Sequence, residues 1–189
     1  GPELTSVTSP TGAGTYGIGM GIDVVLTFSE EVTLAGGSLW VTLSTGDTIE
    51  VDAIDNSAEV TVHYVVSDGD QATDLSVSNV FLSEGATLTG DGKEASLGLP
   101  TGSNLADTTD IRIDTAGPSV IIDQSAGQLD PTNGSSILFK AVFSEQVSGF
   151  TKDDVVISGG TGSVVGNLTG GPTAFDITVT GMNDDGAVT

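Results

Sequence analysis

The chain has 189 residues, 26 of them acidic and 4 basic, for a formal net charge of −22. Such a balance repels nucleic acid and anionic membranes, which excludes both as partners. It contains no cysteine, which excludes a disulfide framework, a thiolate nucleophile and a cysteine-ligated zinc site.

No apolar run reaches ~18 residues, so no segment is expected to span a membrane. No signal peptide is visible, and Gly1-Pro2 matches the remnant left by tag cleavage. Gly, Thr, Ser, Val and Asp dominate, and long helical periodicities are missing. That profile predicts an all-β chain with β-branched strands and glycine turns.

A first strand is predicted from Leu4 to Ser9. Gly12-Ala13-Gly14-Thr15-Tyr16-Gly17 then fits the spacing of a dinucleotide fingerprint, but a period-two strand follows it. The fingerprint needs a helix whose N-terminus meets the phosphate, so these glycines are read as a flexible turn. Ile22, Val24, Leu26 and Phe28 alternate, which predicts a strand with one buried face. It runs into Phe28-Ser29-Glu30, placing a carboxylate at the strand's end. Ser38–Leu43 and Thr48–Ile54 are the next strands. Trp40, the only tryptophan, is expected in the core, with an exposed sugar-binding tryptophan as the minority reading.

In the strand Ala58–Val66, Val60, Val62, Tyr64 and Val66 face inward, while Glu59, Thr61, His63 and Val65 face outward. His63 has no second histidine to complete a metal site. The strand ends in Ser67-Asp68-Gly69-Asp70-Gln71-Ala72-Thr73-Asp74. This is not an EF-hand, because Thr73 stands where glycine is required and Asn79 where a bidentate Glu is needed. Carboxylates packed this closely repel unless a cation or water separates them, so the loop is a candidate cation ligand. Leu75–Leu82 is a further strand. Gly85–Leu99 reads as a loop or hairpin around Gly90-Asp91-Gly92-Lys93, which lacks the ending of a phosphate loop. Asp110–Asp114 closes the first domain, and Thr115–Pro118 is a short linker.

The organising strand then returns. Phe143-Ser144-Glu145 repeats Phe28-Ser29-Glu30, and Glu145 stands 115 positions after Glu30 (145 − 30). At the same offset Val60, Val62 and Tyr64 map onto Phe175, Ile177 and Val179. Asp68 and Asp70 map onto Asn183 and Asp185. A repeat of this size is a whole domain, giving domains 1–114 and 119–189 joined by 115–118. Counterparts of residues 75–114 are missing from the second. The expectation is an incomplete module completed by further chain, the alternatives being a smaller variant of the module or a strand donated by another chain.

Several phrases carry a family resemblance. They are Thr27-Phe-Ser-Glu-Glu-Val32, Val142-Phe-Ser-Glu-Gln-Val147, the linker Asp114-Thr-Ala-Gly-Pro118, the run Gln124–Asn133, and Val179-Thr-Gly-Met182. Together the chain resembles the tandem bacterial immunoglobulin-like repeats of large surface adhesins and biofilm-associated exoproteins. The resemblance implies two tandem Greek-key β-sandwiches, the second incomplete, on an extracellular or bacterial cell-surface protein. It implies a non-catalytic extender whose partners are neighbouring repeats of the same polypeptide, many such joints being rigidified by calcium. In a Greek-key sandwich Asp68, Asp70 and Asp114 would gather at the base of the first domain, with Glu145 at the top of the second. These four are the expected interdomain calcium ligands. Glu30 would face a preceding repeat, and Asn183 and Asp185 a following one. The alternatives are a carbohydrate- or surface-binding module, which needs exposed aromatics, and an accessory domain of a secreted hydrolase. Paired carboxylates in glycine-rich turns without an aromatic cleft do not make a glycosidase.

Overall fold

The computed structural model describes residues 1–189 and is all-β. It divides into two compact units, Gly1–Ala116 and Gly117–Thr189. No helix is long and apolar enough to cross a membrane.

In the first unit the strands are, in chain order, β1 (Leu4–Thr8), β2 (Gly14–Tyr16), β3 (Gly21–Ala35), β4 (Leu39–Leu43), β5 (Thr48–Val51) and β6 (Ser57–Val65). They continue with β7 (Gln71–Ala72), β8 (Val77–Leu82), β9 (Thr87–Gly90), β10 (Lys93–Glu94) and β11 (Ile111–Asp114). One short helix, α1 (Leu105–Thr108), precedes β11. Its cap is Asn104, whose side chain accepts from the Leu105 N–H at 2.7 Å while its amide donates to the Val77 carbonyl at 2.8 Å. The same side chain therefore starts the helix and fixes it to β8.

The long strand β3 organises the unit. Over its first half it pairs antiparallel with both β1 and β6. The ladder with β6 is irregular between Thr27 and Val32, and after that break residues 33–35 pair with β9. Ile22, Val24, Leu26, Phe28 and Val32 are buried along it. A second sheet, ordered β5-β4-β8, turns Leu39, Val41, Leu43, Val77 and Val80 into the same core. A third small sheet places β11 between β2, which runs parallel to it, and β7.

Three local expectations are corrected. The glycine stretch is not all turn, because Gly14–Tyr16 forms β2 against Ile111–Ile113. Glu30 is not at a strand end, because β3 continues past it to Ala35. Trp40 is not in the core. Leu39, Val41 and Leu43 are buried, so the alternation of β4 turns Trp40 to the outer face, where it is partly exposed. The segment Gly90–Lys93 is a hairpin joining β9 to β10, with Asp91 at φ 46° and Gly92 at φ 71°. Two successive residues of positive φ are what a two-residue hairpin turn demands.

The second unit is one antiparallel sheet ordered β12-β13-β15-β14, made of β12 (Val120–Gln124), β13 (Ser136–Phe143), β14 (Val164–Gly170) and β15 (Ala174–Thr180). Its pairing copies that of the first unit. Ile22, Val24 and Leu26 face Tyr64, Val62 and Val60, and their counterparts Ile137, Phe139 and Ala141 face Val179, Ile177 and Phe175. Val7 faces Leu26, and Ile122 faces Ala141. The edge contact is kept as well. Ser29 N–H donates to the Glu3 carbonyl and Glu3 N–H to Ser29 Oγ, while Ser144 N–H donates to the Ser119 carbonyl and Ser119 N–H to Ser144 Oγ.

The cores differ sharply. In the second unit only Ala141, Phe175, Ile177 and Val179 are buried, beside an edge-to-face trio of Phe143, Phe150 and Phe175 with centroids 4.9–5.8 Å apart. Val7 is 0 % exposed, whereas Ile122 in the equivalent place is 53 % exposed. No second sheet covers that face in residues 117–189.

Candidate cation-binding ends of the two units

Within the first unit, the β3–β6 ladder runs from Gly21 opposite Val65 to Thr27 opposite Glu59. The loop after β6 therefore lies at one end of the unit, and Glu30 lies beyond the other. Asp68, Asp70 and Asp114 all lie at the first end, though their side chains do not close into one cluster. Asp114 pairs with Gln71 across the β11–β7 ladder, and Thr115 Oγ1 donates to the Asp70 carbonyl at 2.9 Å.

Their environments differ. Asp68 is exposed. The Asp114 carboxylate accepts from the Ala116 N–H at 3.1 Å and from Arg112 Nη2 at 2.8 Å. These bonds hold its carboxyl below the usual Asp range, the Ala116 amide contributing most. Asp70 is turned inward and is 9 % exposed. Its Oδ2 accepts from Tyr64 Oη at 2.6 Å and from the Ser67 N–H at 2.7 Å. Gly69, at φ 92°, provides the reversal that brings Asp70 back over Ser67. Burial works to raise the Asp70 carboxyl, but the bonds from Tyr64 and Ser67 outweigh it and keep it ionised below the usual range.

Asp47, from the turn between β4 and β5, also reaches Asp70 and accepts from Thr45 Oγ1 at 3.2 Å. Burial and the neighbouring Asp70 carboxylate push the Asp47 carboxyl up. Burial and Asp70 likewise push the Tyr64 phenol up, so it stays a donor. Asp47, Tyr64 and Asp70 form a polar knot that ties the β4–β5 hairpin to the loop after β6. Asp70 is thus engaged in the fold, and Asp47 belongs to the group although no sequence pattern marked it.

At the other end, Glu30 shares an open cleft of about 380 Å³ with Glu31, Asp91, Asn56, Thr33 and Thr89. Glu31 Oε2 accepts from Asn56 Nδ2 at 2.6 Å. Gly90 closes the floor of the cleft, where an added Cβ would run into the Glu31 carbonyl and Pro2. Glu31 and Asp91 were not singled out by sequence. The available signal was the Asp-Gly hairpin turn, whose position depends on β9 pairing with β3 after its irregularity.

In the second unit Glu145 is exposed just after β13, next to Ser144 and its bond to Ser119. Asn183 and Asp185 line a cleft of about 700 Å³ with Asp130 and Asn133. Asp184 is bound to the Thr161 N–H and hydroxyl at 2.9 and 2.6 Å. No three His, Asp or Glu side chains stand together as a ready-made ligand set. Calcium draws on carbonyl oxygens and water as well as carboxylates, so each end is a surface of scattered oxygen donors rather than a closed site. His63 faces outward, with Nδ1 2.7 Å from Asp23 Oδ1.

The chain matches no protein-family model and no curated protein.

Proposed function

We propose that this chain is a non-catalytic extender segment of a secreted or surface-exposed bacterial adhesin. In this reading its modules are immunoglobulin-like repeats, its partners are the neighbouring repeats of the same polypeptide, and calcium stiffens the joints between them. The observation that carries the reading is the duplicated strand register, three strands pairing in the same way at one constant offset in each unit. A module that repeats with conserved pairing and presents carboxylates at its ends is suited to being strung in series.

Of the ligands named for the joint, Asp68 and Glu145 are exposed, and Asp114 is held ionised two residues before the boundary between the units. Asp70 serves as the anchor of its loop, because a cation would have to compete with Tyr64 and Ser67 for its carboxylate. Glu30, with Glu31 and Asp91, would face a preceding repeat, and Asn183 with Asp185 a following one. The high net charge suits a calcium-rich extracellular setting, where the ion offsets repulsion between acidic modules.

The test is a calcium titration followed by thermal unfolding and small-angle scattering. A joint-binding ion stabilises by about 2.7 kcal/mol at a hundredfold excess over its Kd. The melting temperature and the maximum dimension should both rise with calcium, and the variant D68N/D114N/E145Q should lose both responses. Identical melting and scattering curves in calcium and in chelator would overturn the reading.

A further inference from the structure

The outer face of the β5-β4-β8 sheet carries chemistry that neither the fold nor the extender reading uses. Its inner face is sealed by Leu39, Val41 and Leu43 on the central strand. On the outer face Trp40 stands directly opposite Glu50 on β5 and Phe81 on β8, forming a row across the three strands. Phe81 is 40 % exposed and Trp40 partly so. The ring–ring contacts of the molecule lie elsewhere, among Phe143, Phe150 and Phe175.

The positions around this aromatic pair are all polar. On one side Thr42 stands opposite Thr48 and Asn79, and the two threonine hydroxyls are 3.1 Å apart. On the other side the Ser38 hydroxyl donates to Glu50 Oε1 at 2.6 Å and lies 3.2 Å from Asp52 Oδ1. One hydroxyl proton thus serves two exposed carboxylates, leaving acceptor capacity that only outside donors satisfy.

An outward tryptophan and phenylalanine side by side contribute nothing to this unit's core. Cross-strand neighbours on one face have Cβ atoms about 4.5–5.5 Å apart, so the two side chains present neighbouring apolar surface in one strip without stacking on each other. Flanked by hydroxyls, an amide and acceptor-only carboxylates, the strip suits a ligand with apolar C–H faces and hydroxyls around its edge. A pyranose ring has both. The charge decides among glycans. Glu50, Asp52 and a chain of net charge −22 repel uronic acids and sulfated sugars. A strand surface, flat and open at its edges, suits a polymer lying across it better than an enclosed monosaccharide.

We propose that the outer face of the β5-β4-β8 sheet binds neutral polysaccharide, with Trp40 and Phe81 stacking on pyranose rings and Glu50 and Asp52 accepting hydrogen bonds from sugar hydroxyls. The site is independent of calcium and of the joint between units, so it stands or falls apart from the extender reading. It gives the segment an adhesive contact of its own.

The test is affinity electrophoresis of the full chain through native gels containing hydroxyethylcellulose, arabinoxylan or dextran, with alginate as the anionic control. Intrinsic fluorescence runs in parallel, since Trp40 is the only tryptophan and stacking must perturb its emission. The expected result is retardation in at least one neutral gel and none in alginate. Trp40→Ala and Phe81→Ser should each weaken retardation at least tenfold, and Glu50→Gln several-fold, with unchanged melting temperatures. Phe81→Ser and Glu50→Gln alter exposed positions, so they report even where the tryptophan change perturbs folding. Absence of retardation in all three neutral gels overturns the proposal. So does equal retardation of wild type and both aromatic variants, or stronger retardation in alginate.

Discussion

Tyr64→Phe isolates the worth of the polar knot beneath the loop after β6. The substitution keeps the ring, which is 2 % exposed and packed in the core, and removes one hydroxyl. That hydroxyl donates at 2.6 Å to a buried, ionised carboxylate. A hydrogen bond to a charged group is worth about 1.5–3 kcal/mol. Asp70 retains only the Ser67 amide and Asp47 as close partners, so the variant should lose an amount in that range. For a unit of this size the loss lowers the melting temperature by roughly 6–12 °C. The sign of its pH dependence is fixed. The folded pKa of Asp70 is depressed, so its contribution is fully present above the ordinary Asp pKa of 3.8. The contribution is lost as pH falls through the lower, folded value. The difference between wild type and variant should therefore narrow in strong acid. Urea unfolding followed by Trp40 fluorescence, which reports on the first unit alone, measures both. A variant within about 0.5 kcal/mol of wild type at pH 7, or a loss that persists unchanged in acid, would refute the reasoning.

Asp47→Asn should do the opposite at neutral pH. The Asp47 carboxyl is pushed up by burial and by Asp70, so its favourable contribution is complete below 3.8 and disappears as pH rises through the raised value. The Asn variant should have the higher urea midpoint at pH 7, and its advantage should vanish near pH 4. The two units should also unfold separately. Twenty-two buried apolar residues cluster in the first and four in the second, so far-ultraviolet circular dichroism should begin to fall at lower urea than Trp40 fluorescence, and protease should cut residues 117–189 first. Coincident transitions by the two probes would count against this.

Much of the strand framework was legible because alternation encodes which face is buried. Val60, Val62, Tyr64 and Val66 could be assigned inward from period alone, and all four are buried. The constant offset then carried the register of β3 and β6 onto β13 and β15 without any structural information. Trp40 shows where size misleads. The alternation Leu39, Val41, Leu43 already required Trp40 to point outward, but a lone large aromatic invites a core assignment. The parallel pairing of β2 with β11 was not legible, because Gly14-Thr15-Tyr16 has no alternation and its partner lies almost a hundred residues away. Asp70 was found as an acidic loop residue, but its inward turn was not. That turn depends on Gly69, on Tyr64 one strand earlier and on Asp47 from a remote hairpin, and no local pattern encodes the meeting of the three.

The repeated Phe-Ser-Glu phrase shows how context separates two copies of one sequence. In the first unit β3 runs on past Glu30 because β9 lies alongside residues 33–35, and the β9–β10 turn then delivers Asp91 to the same cleft. In the second unit β13 stops at Phe143, because within residues 117–189 no strand offers the equivalent pairing. The side chains have diverged as well. At the repeat offset Glu31 becomes Gln146 and Asn56 becomes Gly171, so Glu145 keeps neither the adjacent carboxylate nor the amide that steadies it. A cation at Glu145 would therefore lack the side-chain oxygens that Glu31 and Asp91 bring to the cleft they share with Glu30. The two ends are unequal donors. Glu145→Gln alone should accordingly remove more of any calcium response of the joint than Glu30→Gln removes at the end with Glu31 and Asp91 still in place.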